Sequence, residues 1–214
     1  MNICLIGAGR IGIVHAIAIS SEKNTILHSV VDVNQPAAED LAKKYSAQVP
    51  FVRPVELSND HVGTIPVIKH AIEWIENEKN SIDNVCCLYA TAPFLRSQII
   101  SKAFHQLNDS KSDYCFSVTS FPFPIQRAIR VNQDNKVDMF YPENRNTRSQ
   151  DLEEAYHDAG QFYWGKAQAF KDELPFFSKA AIPYILQRYL VQDIDTLEDW
   201  KRAELMYQII NMEK

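Results

Sequence analysis

The chain is short of glycine, with six among 214 residues, and half of those fall in the first twelve positions. No glycine-rich linker, repeat or low-complexity segment is visible, so the early cluster stands out. Cysteine is also scarce. Cys4, Cys86, Cys87 and Cys115 form no C-x-x-C pair and lie in apolar, strand-like runs. They read as buried, reduced thiols of a cytoplasmic protein. Positive charge is in deficit: 22 Lys and Arg face 27 Asp and Glu, a net charge of −5. That balance argues against a nucleic-acid partner, although local basic patches still suit a small anion. Long hydrophobic runs are missing too. The run "IGIVHAIAI" is too short to span a bilayer and carries His15, so neither a membrane segment nor a secretory leader is expected.

What remains is an ordinary globular composition, 46% apolar and 23% charged. A chain of this length buries roughly 70% of its unfolded surface, enough for a full core. Apolar runs alternate between strand and helix periods. "NICLI" and "ILHSVVDV" read as strands, separated by the helix "IGIVHAIAISS". "QPAAEDLAKKYSA" reads as a helix with Pro36 in its first turn. "TIPVIKHAIEWIENEKN" is amphipathic, with Val67, Ile68, Ala71, Ile72 and Ile75 on one face. "DNVCCLYA" reads as a central parallel strand. A helix at "RSQIISKAFHQL", a strand at "DYCFSVTSF" and a hairpin turning at "QDN" follow. The polar stretch "NRNTRSQDLEEAYHDAG" reads as loop or short helix, "QFYWGK" as strand, and "TLEDWKRAELMYQIINM" as a helix opened by Thr196. The expected fold is α/β: one Rossmann-like domain over 1–214, a mostly parallel sheet with helices on both faces, and a hairpin and loop insertion.

Two sets of motifs carry chemistry. In the first, Gly7, Gly9 and Gly12 have G-x-G-x-x-G spacing between a strand and a helix. Glycines there permit a tight turn, close approach of backbone to a pyrophosphate, and close helix–strand packing. Helix amides then face the phosphates. Asp32, at the end of the second strand, stands where an acid would hold an adenosine ribose. Residues 1–47 resemble the start of inositol 2-dehydrogenase-type oxidoreductases. That family, however, uses a lysine in an E-K-P motif and a large second domain. The pairs Glu22-Lys23, Glu78-Lys79 and Glu213-Lys214 lack the proline, and 214 residues leave no room for the second domain.

The second set spans about residues 49–213: "VPFVRPVELSNDH", "YATAPF", "FPIQRAIR", "NTRSQDLEEAYHDAGQFYW" and "VQDIDTLEDWKRAELMY". In this order they resemble the acylneuraminate cytidylyltransferase family, most closely its pseudaminic acid branch. The resemblance implies a nucleotidyltransferase that joins CTP to a nine-carbon 2-keto sugar acid and releases pyrophosphate. The sugar's anomeric hydroxyl attacks the α-phosphorus, so catalysis rests on positioning and charge neutralisation. Asp193 and Asp195 are implied as Mg²⁺ ligands and catalytic residues, and their spacing puts both side chains on one side of an extended segment. On the nucleotide side the resemblance implies Arg53, Ser58, Asp60, Thr91, Ala92 and Pro93, joined by Gly7, Gly9, Arg10 and Gly12 of the opening loop. On the sugar side it implies Gln126, Arg127, Ser149, Gln150, His157, Asp158, Gln161 and Tyr163, with Arg148 as a catalytic cation for an anionic substrate. His157 beside Asp158 reads either as a general-base pair or as a structural hydrogen bond.

Three positions depart from the family pattern: Asn59 replaces an aspartate, Ala90 replaces a proline, and the long basic glycine-rich loop that wraps the triphosphate is absent. Each charge-assisted hydrogen bond that such a loop makes to phosphate is worth about 1.5–3 kcal/mol. Two outcomes stay open here: a weakened or inactive cytidylyltransferase, or one in which "GAGRIG" and Arg10 stand in for part of the loop. A different class of reading is an NAD-binding protein without the dehydrogenase's lysine and substrate domain. A third is a fused remnant that mainly supplies dimer contacts. Small molecules are the expected partners, with no nucleic acid or membrane, and the resemblance implies a homodimer through the insertion at 125–165.

Overall fold

The first two apolar runs become a pair of parallel strands. In the computed structural model, which describes residues 2–59, 61–78 and 80–212 (the side chain of 211 aside), β1 (Asn2–Ile6) pairs with β2 (Ile26–Val31). Between them runs α1 (Arg10–Ser21), and after them α2 (Gln35–Lys44) and α3 (Thr64–Asn77). α2 begins where the sequence marks it. The Asn34 side chain accepts the Ala37 N–H at 3.2 Å, and Pro36 needs no partner in the first turn. Lys43 and Lys44 complement the negative end of the helix. Ala16, Leu27, Val30, Ala38, Leu41 and Ala42 form the core, where each larger side chain contributes about 1.5–3 kcal/mol by burial. On α3, Ile68 and Ile72 are the buried members of the expected apolar face.

Two compact units are present, Met1–Ser81 and Ile82–Lys214. The boundary falls in the polar stretch after α3, where composition gives no break.

The second unit holds β3 (Asn84–Leu88), α4 (Ser97–Asp109), β4 (Tyr114–Ser120), β5 (Ile129–Val131), β6 (Val137–Met139), β7 (Tyr156–Lys166), α5 (Ala167–Lys171), β8 (Ala181–Leu186) and α6 (Leu197–Met212). Its main sheet has the order β3-β7-β4-β8. β7 runs antiparallel between β3 and β4, and only β4 and β8 are parallel. The sheet is therefore mixed rather than mostly parallel, within an α/β fold of the expected kind. The reason is β7: eleven residues long, it inserts between two strands that precede it in sequence. β3, expected to be central and parallel, hydrogen-bonds antiparallel to β7 at one edge of this sheet. Beneath the sheet lie Ala103, Leu107, Cys115 and Phe162, and the Trp164 indole donates to the Ile100 carbonyl at 3.0 Å.

The hairpin forms as expected from β5 and β6, with Asn135 at φ 57° in its turn. β7 starts at Tyr156, earlier than "QFYWGK" suggested. Its ladder to β4 slips: two steps from Phe116 to Val118 face five steps from Tyr163 back to Asp158. That bulge hides the period of two from a sequence reading. Cys4 is exposed, against expectation, because it lies on the uncovered side of β1. Burial pushes the thiols of Cys86, Cys87 and Cys115 up, the last two to about 11, so they stay protonated and unreactive. Among the described residues no helix is long and apolar enough to cross a membrane.

Candidate active site

In the first unit the opening loop is built as its glycines predict. Gly7 adopts φ +116° and donates its N–H to the Val31 carbonyl at 2.8 Å. A Cβ on Gly12 would lie 2.0 Å from the Gly7 carbonyl oxygen, so α1 packs against the loop only because that residue has none. Gly9 caps α1 through its backbone, and Arg10 is exposed at the first helical position. Asp32 is committed to this loop. Its Oδ2 accepts the Ala8 N–H at 2.7 Å and its Oδ1 the Asn34 N–H at 2.8 Å. Burial alone would raise its pKa, but these amide bonds, with the nearby charge of Arg53, outweigh burial and hold the carboxyl below its ordinary value.

Arg53 donates its backbone N–H to the Asp32 carbonyl at 3.0 Å and its Nε to Ser58 Oγ at 3.0 Å. Ser58 in turn donates to the Pro54 carbonyl at 2.7 Å. The structure thus brings the glycine loop, Asp32, Arg53 and Ser58 together, joining the two motif sets that the sequence left separate. Asp60 lies outside the described residues.

In the second unit, Thr91, Ala92 and Pro93 form a turn beyond β3, closed by the Leu95 N–H on the Ala92 carbonyl. Thr91 Oγ1 lies 3.5 Å from Asp193 Oδ1, across 102 residues of chain. Asp193 and Asp195 occupy an irregular turn between the Arg188–Leu190 3-10 turn and α6, not a strand end as expected. Both are exposed on either side of half-buried Ile194, which leaves two carboxylates open to a ligand. Two buried amides pin this turn. Gln161 Nε2 donates to the Leu190 carbonyl at 2.6 Å, and Gln192 Nε2 to the Asp193 carbonyl at 2.6 Å. On the α6 side, Asp199 accepts the Thr196 N–H at 2.9 Å while Thr196 Oγ1 accepts the Asp199 N–H at 3.2 Å, a capping box.

The sugar-side candidates divide. Ser149 and Gln150 line a cleft of about 240 Å³ with Phe121–Pro124 and Leu152–Ala155. Nearby, Gln126 Nε2 donates to the Glu153 carbonyl and Arg127 Nη1 to the Thr147 carbonyl, both at 3.1 Å. These bonds hold "FPIQR" against "NTRSQDLEE". Arg148 is exposed and makes a two-pronged pair with Asp151, at 2.8 and 3.2 Å. His157, Asp158, Gln161 and Tyr163 lie on β7. The His157 ring bonds the backbone carbonyl of Asp158 at 2.8 Å and stacks edge-on against Phe121. The Asp158 carboxylate instead accepts the Gly160 N–H and the Tyr163 hydroxyl. The His157 ring thus bonds the backbone of Asp158 rather than its carboxylate. Burial first, then that bond to Asp158, pushes the Tyr163 phenol well up. Gln161 and Tyr163 are buried; the Gln161 Nε2 donates to the Leu190 carbonyl and the Tyr163 hydroxyl to Asp158.

Mg²⁺ asks for hard oxygen ligands, takes one or two carboxylates, and completes its shell with water and phosphate oxygens. The open Asp193 and Asp195 pair fits that demand. Among the described residues no group of three or more His, Cys, Asp or Glu side chains gathers as an all-protein metal cage. The residue that sequence reading misses is Gln192, which reads as part of an acidic stretch; only its hydrogen bonds to the Asp193 carbonyl and the Asp199 carboxylate show it bracing the turn.

A family model described as "Cytidylyltransferase" matches residues 11–211, and so begins inside the opening glycine loop. The chain is 41% identical over 170 residues to a pseudaminic acid cytidylyltransferase of Campylobacter jejuni serotype O:2, covering 79% of this chain and 73% of that protein. It is 38% identical over 198 residues to a protein of the same name from C. jejuni serotype O:23/36, covering 92% and 80%. Among solved structures, CMP:2-keto-3-deoxy-manno-octonic acid synthetase complexed with CTP matches with a TM-score of 0.53 at 11% identity, over 97% of this chain and 98% of the other. The 4-diphosphocytidyl-2C-methyl-D-erythritol synthase of Anaerococcus prevotii matches with a TM-score of 0.53 at 13% identity, over 97% and 94%. These two likenesses speak for the fold.

Proposed function

Because this chain belongs to the cytidylyltransferase family, we propose that it couples CTP to a nine-carbon sugar acid, pseudaminic acid, giving the CMP-sugar and pyrophosphate. The observation that carries this reading is the identity of 38–41% with two pseudaminic acid cytidylyltransferases over most of both chains.

The roles follow from chemistry. Asp193 and Asp195 hold Mg²⁺, with Thr91 orienting Asp193. These two carboxylates would hold the ion, which would supply neutralisation of phosphate charge. In the first unit, the amides of the Gly7–Gly12 loop, Arg10 and Arg53 bind phosphate oxygens. Ser58 holds the Arg53 guanidinium in place. Ser149, Gln150, Gln126 and Arg127 form the sugar side, and Arg148 meets the substrate carboxylate once it leaves Asp151. The insertion at 125–165 also carries the dimer contact. Ile129, Val131, Val137 and Phe140 on or beside the hairpin are each more than half exposed, an apolar surface suited to a second copy. The compartment is the cytoplasm, where CTP is available.

The test is direct: purified protein, CTP, Mg²⁺ and pseudaminic or N-acetylneuraminic acid, with pyrophosphate release followed against the Asp193→Ala variant. Release with pseudaminic acid, reduced by on the order of 100-fold or more in the variant, supports the reading. Equal rates in the two proteins contradict it.

A further inference from the structure

We propose that Gln161 is a positioning residue for the acidic turn: it sets Asp193 and Thr91 in register from the centre of β7, and the inference rests on the cytidylyltransferase reading above. The residue type invites a direct role, since a glutamine among sugar-side motifs suggests a hydrogen bond to substrate. Its surroundings point elsewhere. Gln161 is 1% exposed, so its amide faces protein.

Three bonds define what it does. Its Nε2 donates to the Leu190 carbonyl at 2.6 Å, three residues before Asp193. Its backbone carbonyl accepts the Tyr89 N–H at 3.0 Å, two residues before Thr91. Its own N–H reaches Ser117 Oγ on β4 at 3.2 Å, a hydroxyl that the Phe162 N–H shares. One residue therefore ties the turn after β3, the turn after β8 and the central strand β4. The two turns it grips are the ones whose side chains meet at 3.5 Å, Thr91 Oγ1 to Asp193 Oδ1.

The bulge explains how a β7 residue reaches both. Between Asp158 and Tyr163 the strand carries more residues than β4 opposes, which frees Gln161 from simple ladder pairing. The Asp158 carboxylate then locks that excursion by accepting the Gly160 N–H and the Tyr163 hydroxyl. Among the described residues, Gln161 Oε1 has no hydrogen-bond partner. The side chain's hydrogen bonding therefore rests on its Nε2 donor to Leu190, the end that holds the turn.

The experiment uses the full chain with CTP, Mg²⁺ and pseudaminic acid. Gln161→Met keeps the volume and removes the donor. The expected result is a melting temperature within a few degrees of wild type, KM for CTP within about twofold, and kcat down by about 10- to 100-fold, as a displacement near 1 Å at a reacting centre produces. A cycle with Asp193→Asn separates positioning from general damage: the double variant loses no more activity than Asp193→Asn alone. Gln161→Glu, which keeps the size and places an acceptor where the donor was, repeats the loss should Gln161→Met not fold. A folded Gln161→Met or Gln161→Glu with wild-type kcat overturns the proposal, as do losses that multiply in the cycle. An inactive wild type instead defeats the activity reading. A crystal structure of Gln161→Met then decides the positioning role: a Thr91–Asp193 separation well beyond 3.5 Å supports it, and an unchanged one overturns it.

Discussion

Asp32 illustrates how one residue changes meaning between sequence and structure. By position it is the acid that a dinucleotide fold offers to a ribose, yet both its oxygens are engaged by the amides of Ala8 and Asn34. Its charge also lies near Arg53, so it fixes the loop and the cation at once. The spacing in sequence was legible; the commitment to Ala8 was not, because it depends on how closely β2 ends beside the loop. Its lowered pKa makes a prediction. Asp32 binds a proton less readily folded than unfolded, so it contributes stability above the unfolded carboxylate range and loses that contribution as pH falls through the folded value. Thermal unfolding followed between pH 3 and 7 should show Asp32→Asn less stable than wild type at neutral pH, with the gap closing toward pH 3. A gap independent of pH would mean that the carboxylate's charge has no part in holding the loop.

At the scale of elements, the local signals served well. The helix starts at Pro36 and Thr196, the hairpin turn and the apolar face of α3 stand where spacing puts them, since each is set by nearby residues. β8 was missed because Pro183 interrupts "AIPYIL"; it is tolerated there because β8 is an edge strand, parallel to β4 alone. Strand order was beyond local reading as well. Nothing in "YHDAGQFYWGK" says that it will lie between β3 and β4, and the bulge at 158–163 disguises its start. The acidic turn follows the same division. Thr196 and Asp199 were visible as a helix start, whereas the grip of Gln161 on Leu190 spans 29 residues. Thr196→Ala removes the oxygen that caps Asp199's amide and should cost about 1 kcal/mol. For a chain of this size that lowers the melting temperature by roughly 2–4 °C, readable by calorimetry. It also loosens the anchor beside Asp195, so a higher Mg²⁺ requirement for pyrophosphate release should accompany it. An unchanged melting temperature would show that the cap contributes nothing.

For the whole molecule, the tension lies between the opening loop and everything after it. The family match starts at residue 11, inside the Gly7–Gly12 loop, which carries a different phosphate-loop signature. Within the first unit, Arg53 of the family segment bonds to the Asp32 backbone and Ser58 orients its guanidinium. The assembly is a second matter at this scale. Light scattering should give the mass of two copies, and Val131→Asp with Val137→Asp on the hairpin should give one; a wild-type monomer would remove the dimer from the account. Nucleotide preference is a third. CTP with Mg²⁺ should raise the melting temperature in proportion to the logarithm of its concentration above Kd, while stabilisation by NAD⁺ alone would favour the dinucleotide reading. One assay decides whether this chain is a working cytidylyltransferase with "GAGRIG" where the family carries its basic loop. Pyrophosphate release from CTP, Mg²⁺ and pseudaminic acid should be clear with the wild-type chain and reduced by on the order of 100-fold or more with Asp193→Ala; release no greater than in that variant would contradict it.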